Sequence, residues 1–271
     1  MPPVSVPLKL IVWDVELPAV PTMRSSYYVW WDGIKQRYHT GESLEPLDRF
    51  FRFLVDHRLC PMTLPVDITD PRADTYMVDP RVNGVRVPYL PAEQLAPVLK
   101  NVRDRGWLDR TYIYLYDEPA LRDWGKIHEA SDVITGLEPG MARLDSIQPE
   151  PRLEGYVSIW CPNVEAAYLY RDRIADRFAA GDQVWWYTCV TPKYPFPGYL
   201  LDDDAIAPRL LFWMQALYGM SGSMYINTIH WGPEGWDPWE RGVISMPQQS
   251  NNHDGLLMYS GREPDGCYPV S

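Results

Sequence analysis

Short apolar runs alternate with segments whose apolar residues recur at helical spacing, and this alternation restricts the possible folds most strongly. A helix carrying Leu95, Leu99 and Val102, for example, is followed by a strand-like run over 111–116. Such alternation is typical of a parallel sheet with crossover helices. The candidate strands favour a (β/α)8 TIM-like barrel over an open sheet. Residues 78–87, with Asn83-Gly84 at their centre, are predicted to form a hairpin. The other candidate strands are residues 8–15, 23–31, 62–66, 111–116, 142–147, 156–160, 183–189, 223–228 and 256–259.

The length of 271 residues suits one such barrel. We expect residues 1–20 to form a linker and an entry strand, and residues 21–271 to form the barrel domain. No helical pattern follows Tyr259, so we expect the barrel to be incomplete at its C-terminal end and to lack its final helix. This suggests that the chain is part of a longer protein.

Composition excludes several classes of partner. With 25 Lys and Arg against 36 Asp and Glu, the net charge of −11 disfavours binding to nucleic acid or anionic lipid. No apolar run approaches the roughly 20 residues that span a bilayer. Neither the four cysteines nor the five histidines show metal-ligand spacing, so no metal and no cofactor are predicted. The 12 Trp and 18 Tyr, against 6 Phe, favour a cleft that stacks on sugars.

Two adjacent acids end the strand pattern in Tyr114-Leu-Tyr-Asp-Glu-Pro119. In parallel α/β folds, the C-terminal ends of the strands form the active face. Asp117 and Glu118 could there supply a proton donor and a group that stays charged. Alternatively, they could simply stabilise the start of the helix that Pro119 opens. The pattern does not separate these two interpretations.

The catalytic interpretation carries a geometric requirement. Side chains alternate along a strand, so Glu118 would share a face with Tyr116 while Asp117 points to the other face. Both carboxylates can reach one ligand only if the pleat breaks after Tyr116. Pro119 disfavours helical dihedral angles at Glu118, which makes such a departure from the strand reasonable.

The same stretch resembles the Tyr-x-x-Asp-Glu-Pro signature of glycoside hydrolase family 123, also called the domain of unknown function 4091 group. Two departures concern substrate identity: Ile226 stands where the family usually has Trp, and Ser260 where it usually has Pro. Further motifs follow the family pattern in order, namely residues 7–18, Trp185-Trp-Tyr187, Arg209, Trp213, Gly219, Gly222, Tyr225-Ile-Asn227, Trp231 and residues 254–259.

The resemblance implies a β-N-acetylgalactosaminidase that works by substrate assistance and needs no cofactor. Asp117 would then orient the 2-acetamido group of the sugar, and Glu118 would protonate the glycosidic oxygen and later activate water. The resemblance also implies a glycan substrate and an N-terminal β-sandwich that this chain does not include. The predicted substrate-binding residues are Tyr116, Trp185, Tyr187, Asn227 and Trp231, although Asn227 could equally serve a turn.

Two alternatives remain open at this stage. One is a glycosidase with a separate second carboxylate, for which Asp14, Asp67 and Asp254 are candidates. The other is a carbohydrate-binding barrel without turnover. The sequence does not fix the compartment; export or a cell-surface location is favoured if a signal lies upstream of residue 1.

Overall fold

Seven parallel strands form the centre of the computed structural model, which describes residues 5, 7–231, 237, 239, 256–261 and 269–270. Their order in the sheet is β1-β7-β6-β5-β4-β3-β2, and every neighbouring pair is parallel. The strands are β1 Arg24–Tyr27, β2 Val85–Val87, β3 Thr111–Tyr114, β4 Ala142–Asp145, β5 Ile159–Trp160, β6 Gln183–Tyr187 and β7 Gly222–Tyr225.

A three-residue bridging segment, residues 60–62, joins the two ends of this sheet. On one side, the Tyr27 N–H donates to the Cys60 carbonyl at 2.9 Å and the Met62 N–H donates to the Tyr27 carbonyl at 2.8 Å. On the other side, the Arg86 N–H donates to the Met62 carbonyl at 2.7 Å. The structure therefore confirms a TIM-like barrel, in which the position between β1 and β2 is reduced to this segment.

Helices cover the outside of the barrel because their apolar stripes face the strands. Leu47, Phe50 and Leu54 of the second helix are buried, as are the predicted Leu95 and Leu99 of the fourth. The helices are α1 Trp31–Tyr38, α2 Glu45–Asp56, α3 Ala73–Met77, α4 Ala92–Asp104, α5 Trp124–Leu137, α6 Val164–Leu169, α7 Arg171–Ala180 and α8 Ala207–Leu217, with 3-10 turns at Leu108–Arg110, Leu121–Asp123 and Pro151–Leu153.

The last described residues form a short antiparallel strand pair of β8, Tyr259–Ser260, and β9, Pro269–Val270. The predicted strand at 256–259 is thus reduced to an isolated bridge at Leu256 and the first residue of β8. After β7 the described residues include no helix. None of the helices within the described ranges is long and apolar enough to cross a membrane.

Three sequence predictions of strands are wrong. Residues 62–66 form no strand: only Met62 hydrogen-bonds to neighbouring strands, as part of the bridging segment. Residues 8–15 are irregular, with Leu8 92% and Trp13 79% exposed, because no neighbouring strand within the described residues pairs with them. Residues 78–87 form no hairpin: α3 leads into β2, which pairs in parallel with β3. A Cβ at Gly84 would lie 2.1 Å from the Ser25 carbonyl oxygen, so this glycine permits a close approach of two chain segments and does not form a hairpin turn.

Candidate active site

The two acids follow β3 at the C-terminal edge of the barrel. Tyr114 is the last residue of β3 and Tyr187 is the last residue of β6, and the side chains of both pack against the cluster that fills the barrel interior. Each phenol donates a hydrogen bond to one of the acids. The carboxylates of Asp117 and Glu118 are therefore both held over the mouth of the barrel.

Asp117 is anchored through one of its two oxygens. The Tyr114 hydroxyl donates to Oδ1 at 2.6 Å, and the Ser146 hydroxyl lies 3.4 Å from the same oxygen. Within the described residues, Oδ2 has no hydrogen-bond partner. Because the residue is exposed, Oδ2 is available to a ligand.

Glu118 departs from the strand through an unusual backbone conformation. Its φ of 46° lies in the left-handed region, and its N–H donates to the Ser146 hydroxyl oxygen at 2.6 Å. The Tyr187 hydroxyl donates to its Oε1, while Oε2 has no partner among the residues described. The break in the pleat that the two-carboxylate site requires is thus present.

Both phenols remain hydrogen-bond donors far above neutral pH. Burial raises the pKa of Tyr114, and the hydrogen bond to Asp117 and the charge of that group raise it further. Burial, followed by the hydrogen bond and charge of Glu118, likewise raises the pKa of Tyr187. The two carboxylates therefore keep their phenol partners over the whole pH range in which a glycosidase would work.

A third acid, Asp145, lies behind the pair. It ends β4, is fully buried, and neither carboxyl oxygen has a hydrogen-bond partner in the structure as described. Burial raises the pKa of Asp145 to about 8; the nearby Ser146 backbone N–H, although outside hydrogen-bonding geometry, opposes this, and the Asp117 charge adds to it. Burial therefore favours the protonated, neutral form of Asp145.

Sequence analysis missed Tyr114, Asp145 and Ser146 as members of this site. Asp145 and Ser146 stand at the end of the strand next to β3, as Asp117 and Glu118 stand after β3. Polar residues at the ends of neighbouring parallel strands meet at one edge of the sheet. That rule could have found them.

The predicted substrate-binding residues are not all brought together. Tyr187 contacts Glu118, whereas the Tyr116 hydroxyl donates to Asp123 Oδ1 at 3.1 Å, before α5. The Asn227 Oδ1 accepts the Ile229 N–H at 3.2 Å, which is the alternative turn role.

The two predicted tryptophan platforms are buried. Trp185 is 0% exposed and packs edge-on against Tyr112 inside the barrel, with ring centroids 5.4 Å apart. Trp231 is 4% exposed, packs against Phe50, and donates from Nε1 to the Met258 carbonyl at 2.8 Å. An indole without an exposed face cannot stack on a sugar, so we assign both residues to packing.

The alternative second carboxylates differ in their surroundings. Asp14 lies in the exposed irregular segment before β1. Asp67 is exposed in the loop after the bridging segment, and its Oδ1 accepts the Thr69 N–H at 2.8 Å. Asp254 lies outside the described residues. Among those that are described, no group of three His, Cys, Asp or Glu side chains could hold a metal ion.

Comparison with known proteins adds two findings. The family model for the glycoside hydrolase 123 catalytic domain matches residues 73–263. The fold is similar to that of a family 123 glycoside hydrolase from Clostridium perfringens, a structure that gives the details of glycolipid glycan hydrolysis, with a TM-score of 0.66 and 12% sequence identity. The similarity covers 90% of this chain and 55% of that chain, so this chain spans about half the length of that protein. No curated protein sequence matches this chain.

Proposed function

Because this chain belongs to the glycoside hydrolase 123 catalytic-domain family, we propose that it hydrolyses β-linked 2-acetamido sugars, in particular β-N-acetylgalactosaminides, with retention of configuration. One observation carries the proposal. Two carboxylates on consecutive residues, Asp117 and Glu118, follow β3 at the barrel mouth, and each has one oxygen held by a phenol and one oxygen without a partner among the described residues.

The free oxygens suit a substrate-assisted reaction. Asp117 Oδ2 accepts the N–H of the 2-acetamido group and turns its carbonyl oxygen toward the anomeric carbon. That oxygen attacks the carbon while Glu118 donates its proton to the glycosidic oxygen, so the aglycone leaves as an alcohol and the sugar becomes an oxazolinium ion whose positive charge the Asp117 carboxylate stabilises. Glu118 then takes a proton from water as the water attacks the anomeric carbon and reopens the ring. Proton and leaving group are both accounted for, and no nucleophile of the protein is needed.

The adjacency of the two acids favours this scheme over one with two opposed carboxylates. In conventional glycosidases the acids flank the glycosidic bond, about 5–5.5 Å or 6.5–9.5 Å apart on opposite sides of the sugar. Neighbours in sequence instead approach the same end of the sugar, where the acetamido group and the glycosidic oxygen lie together. The glycolipid glycan hydrolysis described for the Clostridium perfringens structure is consistent with a glycan substrate here.

The test is hydrolysis of 4-nitrophenyl N-acetyl-β-D-galactosaminide. We expect Glu118→Gln to lower kcat/KM by about 10²–10⁴-fold, because the proton donor is lost. Asp117→Asn should lower kcat, since the amide no longer supplies a charge to the acetamido group. Asp104→Asn on α4, which removes an exposed carboxylate paired with Lys100 and Arg103, is the control and should leave kcat unchanged.

Product stereochemistry and substrate range distinguish substrate-assisted retention from the alternative mechanisms and from a binding protein without turnover. Proton NMR of the first product should show the β anomer. Activity confined to sugars with a free 2-hydroxyl would contradict substrate assistance, and an initial α anomer would indicate an inverting enzyme with a separate base. Glycan affinity without turnover, unchanged in the double variant Asp117→Asn and Glu118→Gln, would indicate a binding barrel.

A further inference from the structure

We propose that Ser146 is a positioning residue that fixes the backbone of Glu118 and the side chain of Asp117 relative to each other. The proposal rests on the proposed function of these two acids. Ser146 follows directly after β4, the strand next to β3, and is 5% exposed. No role in contacting the substrate is assigned to it.

The Ser146 hydroxyl approaches three consecutive residues of the loop after β3. Its Oγ lies 2.6 Å from the Glu118 backbone nitrogen, 3.4 Å from Asp117 Oδ1 and 3.5 Å from the Tyr116 carbonyl oxygen. The loop that carries both acids is thereby tied to the neighbouring strand through one side chain.

The first consequence concerns the backbone of Glu118. A left-handed φ is unfavourable for a residue with a Cβ and persists only where the surroundings enforce it. Ser146 Oγ is the only acceptor of the Glu118 N–H among the described residues. Without this acceptor, Glu118 would relax toward an extended conformation, and strand alternation would turn its carboxylate away from that of Asp117.

The second consequence concerns the proton of the hydroxyl group. Ser146 Oγ accepts the Glu118 N–H, so its single proton is free for an acceptor on the other side. The charged Asp117 Oδ1 is a stronger acceptor than the Tyr116 carbonyl. Asp117 Oδ1 then accepts hydrogen bonds from the Tyr114 and Ser146 hydroxyl groups, which leaves Asp117 Oδ2 as the oxygen that faces the ligand. Ser146 thus fixes the backbone of Glu118 and the side-chain rotamer of Asp117.

Kinetics of Ser146→Ala test this role. We expect kcat to fall by about 10–100-fold, the loss of a hydrogen bond to a charged group, while KM changes by less than about threefold. Ser146→Thr keeps the hydroxyl and should restore most of kcat. The matched control is Ser158→Ala, which removes another seryl oxygen that accepts a backbone N–H, that of Arg143 at 2.8 Å, and should leave kcat unchanged.

Native-state hydrogen exchange separates this proposal from the proposed function, because it needs no turnover. In Ser146→Ala the Glu118 amide should exchange at least about tenfold faster, whereas the Leu115 amide, bonded to the Leu144 carbonyl at 2.8 Å, should stay protected. Unchanged Glu118 exchange would overturn the proposal, as would an active Ser146→Ala with wild-type kcat. A wild-type protein inert on all 2-acetamido sugars would instead reject the proposed function, and the exchange result would still decide the role of Ser146.

Discussion

At the scale of single residues, Asp117 accepts a hydrogen bond from Tyr114, which ends the strand just before it, whereas Glu118 accepts one from Tyr187 on β6, across the barrel. We expect Tyr114→Phe to lower kcat by about 10–100-fold, because a hydrogen bond to a charged group at 2.6 Å is lost and Asp117 can rotate. Steady-state kinetics on the 4-nitrophenyl glycoside measure this effect.

Tyr112→Phe, one pleat earlier on the same strand and face, is the matched control. Its hydroxyl lies 2.7 Å from Ser26 Oγ in the barrel interior. Its loss should cost about 1 kcal/mol of stability and leave kcat unchanged. Equal losses of kcat in both variants would mean that Tyr114 acts through the stability of the barrel and not through Asp117.

Asp145 predicts a pH dependence of stability. Its folded-state pKa of about 8 exceeds the value of an unfolded aspartate, about 3.9, so the folded state holds the proton more tightly. The stability that this provides is complete below about pH 4 and is lost as pH rises to about 8. The side-chain amide introduced by Asp145→Asn does not titrate between about pH 4 and pH 8. The variant's free energy of unfolding relative to wild type should rise by up to about 1.4 kcal/mol per pH unit over that window and then level off.

Urea unfolding at a series of pH values measures this difference. Asp145→Leu serves as the control, because it also lacks a titrating carboxyl group and should show the same slope with a different offset. A difference between Asp145→Asn and wild type that is independent of pH would show that Asp145 is already charged in the folded protein.

How far the site could be predicted depends on how local each contact is. Asp117, Glu118 and Pro119 are contiguous, so the strand pattern made the two acids candidates and proline sterics predicted a break after Tyr116, but neither separated catalysis from stabilisation of the helix start. Ser146 and Tyr187 follow or end other strands, so the strand-end rule can place them near the acids, but their particular hydrogen bonds depend on register, which one sequence does not reveal. The motif likeness of Trp185 and Trp231 likewise carried no information on burial.

At the scale of elements, the start of α6 shows what local sequence can fix. Asparagine is a favoured N-cap residue, and the Oδ1 of Asn163, which immediately precedes α6, accepts the Ala166 N–H at 2.8 Å. Asn163→Ala should cost about 1 kcal/mol of stability, since this N–H loses its partner. Asn163→Asp keeps an acceptor and should cost much less. Urea unfolding of both variants checks this, and equal losses would assign the effect to packing of the side chain.

Strands were harder to predict than helices because a strand needs a partner. Residues 8–15 have the apolar composition of a strand, yet their side chains face solvent. The strand predicted over 62–66 is absent, whereas residues 60–62, only the last of which lies in that prediction, hydrogen-bond to strands on both sides. Helical spacing reports burial within one segment, whereas pairing is decided by segments that are distant in sequence.

At the scale of the whole molecule, the alternation of strands and helices was enough to predict the barrel but not how it closes. Closure passes through the bridging segment and through Gly84, whose missing Cβ lets the chain pass the Ser25 carbonyl. Hydrogen exchange can test this closure. If the ring of hydrogen bonds is complete, the amides of Tyr27, Met62 and Arg86 should exchange nearly as slowly as those inside β3.

Gly84→Ala provides the perturbation that tests closure. Its Cβ would lie 2.1 Å from a backbone oxygen, which no side-chain movement can relieve, so we expect a loss of about 1–3 kcal/mol and faster exchange at Tyr27 and Arg86. Gly125→Ala, at an exposed position of α5 where a Cβ meets nothing within 4 Å, should instead gain about 0.5–1 kcal/mol. If Gly84→Ala left both stability and exchange unchanged, the contact between Gly84 and Ser25 would not hold the barrel closed, and the ends of the sheet would be joined by the bridging segment alone.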